Sequence, residues 1–242
     1  QQNPQDSGTL GSLITFSGGW SSSGTVQNAA DYTYVDSLNG AGRLYDISLQ
    51  DYLKFEKMCT VGCYQSFLSN LGGTNLTIDN CRIIATTFGF QLIGSFITIS
   101  NTKFHQNALA QTAAGGAIVL YTCPGSIIDT CSIIGSNSGI SVGSNGSGDV
   151  LVKNTTIKGC NITNSSAAAF YNSEDWALVV FDNVTMDYNG THVSHTAAGA
   201  INYRIVNSTF GTNRHASGYD LDLALVASGP LNVVLHNCTF DT

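Results

Sequence analysis

Charge is scarce in this chain. Of its 242 residues only 10% are charged, five Lys and four Arg among them, and the net charge is −7. A soluble domain ordinarily carries about 25%. No Lys/Arg run occurs, so nucleic acid finds no electrostatic footprint in the sequence, and an acidic membrane surface would repel the chain. No stretch approaches the ~18 consecutive apolar residues of a membrane span, so no membrane insertion is expected. Only three prolines interrupt the chain, Pro4, Pro124 and Pro230, which leaves room for extensive strand pairing. No helical pattern is long enough to carry a strand-to-helix nucleophile elbow, and no phosphate-cradling loop stands out.

Apolar residues make up 43% of the chain, enough for a sizeable core and against disorder. With so few charges, the surface must be made polar by Ser, Thr, Asn and Gly, or by attached sugar. Nine N-x-S/T tripeptides occur, at Asn75, Asn145, Asn154, Asn161, Asn164, Asn183, Asn189, Asn207 and Asn237. Each is a candidate acceptor of covalent N-glycan in a secreted or cell-surface protein. The polar opening QQNPQDSG reads like a mature terminus after cleavage. Seven cysteines, Cys59, Cys63, Cys81, Cys123, Cys131, Cys160 and Cys238, fit disulfides in an oxidising compartment. Their odd number leaves at least one thiol unpaired or bridging two chains. Cys59 and Cys63 lack the second ligand pair of a zinc site, and neither a metal nor a cofactor is expected.

A pattern recurs along the chain: a short alternating strand, Asn or a substitute, then a second short strand. It is seen in LTIDNCRI, ITISNTKF, SIIDTCSI, VLVKNTTI, LVVFDNVTM, YRIVNSTF and VVLHNCTF, with a weaker copy in LKFEKMCTV. The reference positions are Lys57, Asn80, Asn101, Thr130, Asn154, Asn183, Asn207 and Asn237, 21 to 30 residues apart. Alternation with period two buries one face of each strand. One coil of two or three such strands cannot cover its own apolar face, but stacked coils can, at about 4.8 Å per layer. The spacing therefore predicts an all-β, right-handed parallel β-helix of about eight or nine coils. Ile78, Ile99, Ile128, Val152, Phe181, Ile205 and Leu235, each two before the reference position, are the expected inward ladder. Asn tolerates the left-handed backbone of a sharp corner, and small residues follow it (Cys81, Thr102, Cys131, Thr155, Val184, Ser208, Cys238). Cys81, Cys131 and Cys238 are therefore also read as packing thiols.

Residues 1–50 differ and read as an N-terminal cap with a first coil, ahead of one continuous repeat domain over 51–242. LITFSGGW is a strand ending in a Gly-rich turn, and YTYVDSLNGAGRLYDISL a strand, an Asn-Gly turn and another strand. The final segment VVLHNCTFDT carries no cap, so a partner or further chain is expected to cover it.

Enzymes of this architecture use paired carboxylates, or carboxylate-bound Ca²⁺ with a basic residue. Asp79, Asp129 and Asp182 share the position before the reference residue, with Ser100 and Lys153 between them. Two coils put such acids about 10 Å apart, the upper edge of an inverting pair. They read more simply as an outward column. Asp220 and Asp222 in GYDLDLAL fall on one face of a strand. His192 and His195 share the loop THVSH without an evident acidic or thiol partner, and His105, His215 and His236 are scattered. Polygalacturonase-like NTD, GHG and RIK and the pectate-lyase-like W-x-D-H are absent. Trp20, Tyr32, Tyr34, Tyr45, Tyr52 and Tyr64 crowd the first quarter and read as cap packing. Trp176, beside Glu174 and Asp175, reads as a contact point in an insertion.

FHQN at Phe104–Asn107 precedes GGAI at Gly115–Ile118, FGTN stands at Phe210–Asn213, and MDYN at Met186–Asn189 precedes AGAI at Ala198–Ile201. With the opening SGGW and YVDSLNGAGRLYDI, this resembles the GGAI/FxxN repeats of the chlamydial polymorphic membrane proteins and related right-handed β-helix surface proteins. The resemblance implies a secreted or cell-surface protein used in adhesion or surface architecture. The sequence thus points to a non-enzymatic, glycosylated extracellular subunit of a filament or coat, or an adhesin module. Such a subunit would associate end to end with its own copies or meet a cell-surface or glycan partner. The alternative is a carbohydrate-binding or polysaccharide-degrading β-helix protein. No residue is assigned a catalytic role.

Overall fold

The computed structural model describes residues 13–18, 32–36, 43–46, 51–62, 65–85, 88–106, 116–143, 149–160, 168–173, 178–196, 201–213, 218–223 and 230–241. All regular structure in these residues is strand. Three sheets run the length of the molecule, the first and second with nine strands and the third with eight. Every pairing between them is parallel, and each strand bonds its counterpart one coil away, as Ile14–Ser17 does Leu53–Glu56 and Ile118–Tyr121 does Ile140–Gly143. The chain is a right-handed parallel β-helix of nine coils, the first formed by strands at 14–17, 33–36 and 43–46. The strands on either side of the Asn-Gly turn in that coil do not pair with each other. They belong to the second and third sheets, because a parallel solenoid bonds each strand to the next coil instead.

One residue makes the corner between the first and second sheets in each coil. All eight reference positions, from Lys57 to Asn237, adopt φ between 49° and 57°. This is the left-handed region that Asn occupies at least cost. The corner amides also bind coil to coil: Asn101 Nδ2 donates to Asp79 Oδ1 at 2.8 Å, Asn183 Nδ2 to Asn154 Oδ1 at 2.9 Å, and Asn237 Nδ2 to Asn207 Oδ1 at 2.9 Å.

The small residue after the corner forms a second chain of bonds. Thr102, Thr155 and Ser208 each donate a hydroxyl to the carbonyl two residues earlier, at 2.8 Å. The same oxygens accept the backbone N–H of Cys81, Cys131 and Val184 in the coil before. Cysteine fits the column because its thiol makes the same back-bond, Cys81 Sγ to Asp79 O at 3.3 Å and Cys131 Sγ to Asp129 O at 3.4 Å. No disulfide joins the six described cysteines, Cys59, Cys81, Cys123, Cys131, Cys160 and Cys238, which corrects the expected bridges. The thiols of Cys81, Cys123, Cys131, Cys160 and Cys238 are spent on carbonyls: Cys123 Sγ donates to Leu92 O and Cys238 Sγ to Ile205 O. Cys63 lies outside the described residues.

The core is a set of ladders. Ile78, Ile99, Ile128, Val152, Phe181 and Ile205 are buried as the period predicts. Leu235 in the ninth coil is 47% exposed, although it is in register with Ile205. Aromatic rings extend the ladders, Phe16 stacking on Phe55 and Phe210 on Phe240 at 4.8 and 4.9 Å.

Burial pushes the thiols of Cys81, Cys131 and Cys160 up to about 12. The thiolate is the reactive form, so these three should resist a thiol reagent at neutral pH while the fold holds, and part-exposed Cys238 should react first. Counting labelled cysteines by peptide mass before and after denaturation checks this. Equal labelling of Cys131 and Cys238 in the native protein would overturn the assignment.

Candidate functional site

The outer face of the first sheet carries the only acidic column anticipated from sequence, and the register is as expected. Asp79, Ser100, Asp129, Lys153 and Asp182 stand opposite one another on successive coils. None of the three aspartates is idle. Asp79 Oδ1 accepts Ser100 Oγ and Asn101 Nδ2, both at 2.8 Å. Asp182 Oδ1 accepts Asn207 Nδ2 at 3.2 Å. Asp129 accepts Asn154 Nδ2 and Thr130 Oγ1 at 2.9 Å and pairs with Lys153 Nζ at 3.2 Å. Partial burial pushes the Asp129 carboxyl up, but Asn154, Thr130 and Lys153 together hold it below the ordinary carboxylate range. At the head of the column Lys54 reaches Glu56 at 2.6 Å and Asp79 at 3.9 Å. The Glu56 carboxyl is lowered by hydrogen bonds from Lys54 and Ser17.

Two residues earlier on each strand, on the same outer face, lies a column that the sequence reading missed. Ile127, Leu151 and Val180 are cross-strand neighbours on coils five to seven. They floor an open groove of about 230 Å³ with Gly125, Asp149 and Leu178 at its margin. Leu178 is exposed, and so is the Phe96 ring that lies over Gly125. Gly125 takes φ 71°, in the left-handed region that favours glycine, and a built Cβ there would come within 2.7 Å of that ring. Strand geometry sets this apolar stripe about 7 Å from the Asp129–Lys153–Asp182 column. The signal was legible: SIID and VLVK place apolar residues side by side where strict alternation would put a polar one outward.

Other anticipated groups do not assemble. Asp220 is drawn inward, its Oδ1 accepting Asn213 Nδ2 at 2.9 Å and lying 3.5 Å from His192 Nε2. Asp222 faces away from the core-packed Leu221 and Leu223, opposite Ser194 on the neighbouring strand. His192 therefore has a carboxylate neighbour that its sequence surroundings hide. His195 Nδ1 lies 3.3 Å from the hydroxyl of buried Tyr203. Among the described residues no group of three or more His, Cys, Asp or Glu is placed to hold a metal ion. No helix among them is long and apolar enough to cross a membrane.

The glycan candidates divide. Asn154, Asn183, Asn207 and Asn237 are exposed at the corner, and Asn75 is partly so. Asn189 is fully buried, with both amide atoms bonded inside the fold, so a glycan there is excluded, correcting that expectation. Asn145, Asn161, Asn164, Trp20, Tyr64 and Trp176 lie outside the described residues, as do Asn107 and Gly115 of the FHQN and GGAI elements.

A family model described as a right handed beta helix region matches residues 52–210. Comparison with curated proteins finds no match. Among solved structures, the crystal structure of the pectate lyase Pel9A is similar over 93% of this chain at 13% identity, with a TM-score of 0.54. This chain covers 66% of that one, slightly under two thirds of its length. The catalytic domain of a GH87 alpha-1,3-glucanase, in complex with tetrasaccharides, is similar over 98% of this chain and 47% of its own, at 13% identity and a TM-score of 0.48. At such identity the likeness is one of fold. The expectation that the chain is not an enzyme is corrected on this point: over 93% of its length the chain shares its fold with a pectate lyase, so the missing linear motifs do not exclude catalysis. That expectation rested on missing linear motifs, and a solenoid assembles sites from residues a coil or more apart.

Proposed function

The chain belongs to the right-handed β-helix family, and from that premise we propose that it binds a polysaccharide along the outer face of its first sheet and degrades it there. One observation carries this reading: the apolar stripe Ile127–Leu151–Val180 lies open beside the Asp129–Lys153–Asp182 column. A sugar ring has an apolar face and a polar rim, and needs both kinds of surface side by side. Phe96 and Leu178 add exposed apolar area at the groove's margin. The column offers alternating carboxylate, ammonium and carboxylate groups to hydroxyls. Asp129, held ionised, serves as a proton acceptor rather than a donor, and Lys153 neutralises charge beside it. The pectate lyase among the similar structures supports a polysaccharide as the substrate. Action on such polymers suits a secreted or cell-surface protein, as does the likeness to the chlamydial repeats. The exposed Asn154, Asn183, Asn207 and Asn237 and the partly exposed Asn75 are then its glycan acceptors.

The test is a panel of neutral and acidic polysaccharides, read by binding and by release of shorter products, with native protein and Leu151→Asp. Leu151 faces outward, so the variant should keep its circular dichroism. Loss of the apolar contact should weaken binding by about tenfold or more. A native chain that neither binds nor shortens any polymer, or a variant that binds as well as the native chain, would refute the reading.

A further inference from the structure

Arg82 and Lys103 stand directly opposite each other on the outer face of the second sheet, on neighbouring coils. Like charges in that position oppose pairing, and this chain has only nine Lys and Arg to place. In register with them on the flanking strands are Cys59, which is buried, and Ser132, with Val61, Ile84, His105 and Ile134 two residues further along. Among the described residues neither cation is in an ion pair with an acid. The carboxylates nearest in sequence are engaged across the corner, Asp79 by Ser100 and Asn101, and Glu56 by Lys54 and Ser17.

Arg82 is also held in place. Its guanidinium carbon lies 4.3 Å from the centre of the Tyr32 ring, a cation–π contact that orients the group without neutralising it. The Tyr32 hydroxyl donates to Asn80 Oδ1 at 2.8 Å, which fixes the ring against the corner. Arg82 Nε is buried and has no hydrogen-bond partner. Beside it Lys103 and His105 are exposed.

We infer that Arg82 and Lys103 form an anion-binding strip that recognises the carboxylate or sulfate groups of an acidic polysaccharide. The inference rests on the polysaccharide reading and adds the class of polymer. A short strip suits a polymer whose charges are widely spaced. A denser polyanion such as a nucleic acid would extend past the strip and meet a molecule of net charge −7. Arginine supplies two parallel N–H donors for a carboxylate or sulfate, and Lys103 a point charge beside it.

The experiment compares a uronate polymer, a sulfated polymer and a neutral polymer on the full chain and on Lys103→Gln, Arg82→Gln/Lys103→Gln and Ser132→Arg. The acidic polymers should bind more tightly than the neutral one at low salt, and the advantage should fade as salt rises, with roughly one or two counterions released. The double variant should lose about tenfold in affinity for the acidic polymers and keep its neutral binding. Lys103→Gln alters one exposed side chain, so its smaller loss is free of folding effects. Ser132→Arg extends the strip by one coil and should tighten acidic binding. If the native chain binds acidic and neutral polymers equally and the variants change nothing, the strip is refuted while the groove stands. If no polymer binds at all, both fall. Preference for the uronate or for the sulfated polymer names which anion the strip takes.

Discussion

Phe181→Ala should remove about 3–5 kcal/mol of unfolding free energy, the usual cost of deleting a buried ring. Phe181 is fully buried on the inner face of the seventh coil, between Val152 and Ile205 in register above and below it. Its ring meets Phe170 edge to face at 4.9 Å and Tyr203 at 6.2 Å. Those partners sit on rigid parallel strands and cannot close around the hole. The position matters as much as the size, because a coil in a solenoid contacts only its neighbours. A cavity in coil seven therefore weakens the coupling of coils one to six with coils eight and nine. Urea denaturation followed by near-ultraviolet and far-ultraviolet circular dichroism should show a lower midpoint and a transition that splits in two. A loss below about 1 kcal/mol, within the range of surface substitutions, would mean that Phe181 is not a keystone of the ladder.

The ladder holding Phe181 is legible in the sequence because period two and the recurring corner Asn are both one-dimensional signals. A buried face must repeat with the strand, and a one-residue corner must repeat with the coil. The aspartate column was legible for the same reason, since register follows from the corner. What the sequence concealed is formed by distance. Ile127, Leu151 and Val180 come from three strands, and although each strand breaks strict alternation in the sequence, only the stacking of coils shows that the three breaks form one stripe. Arg82 and Lys103 lie 21 residues apart, so a search for basic runs passes over them, although stacking sets them side by side. The cysteines misled because their number fits a secreted disulfide framework. Their place after the corner, shared with Thr102, Thr155 and Ser208, was the better guide, since one back-bond to a carbonyl serves all three residue types.

The second large effect is expected at Asn189, where a glycan signal hides a structural amide. Its Oδ1 accepts the backbone N–H of Cys160 at 2.8 Å, and its Nδ2 donates to Ile157 O at 3.0 Å and contacts His192 Nδ1 at 3.1 Å. The side chain thus ties coil seven to coil six at the corner leading into the third sheet. Asn189→Ala would strand a buried N–H, a carbonyl and a ring nitrogen, each costing about 1–3 kcal/mol before relaxation. A net loss of about 2–4 kcal/mol is expected. The same site sets a pH dependence. Burial holds the His192 pKa below the ordinary histidine value, although Gly211 O, Asp220 and Asp187 oppose this in part. With Nε2 donating to Gly211 O at 2.9 Å, Nδ1 is left to accept from Asn189. The unfolded chain therefore takes up a proton that folded His192 refuses, so this contribution to stability is full above the ordinary histidine pKa and falls away as pH drops through the lowered one. In Asn189→Ala the ring loses the donor that favours its neutral form, so the acid sensitivity should shrink while stability at neutral pH drops. Denaturation midpoints of the native chain and the variant between pH 5 and pH 8 separate the two effects. An unchanged midpoint, or a glycan found on Asn189 in the folded protein, would show that this amide does not sit where its three bonds place it.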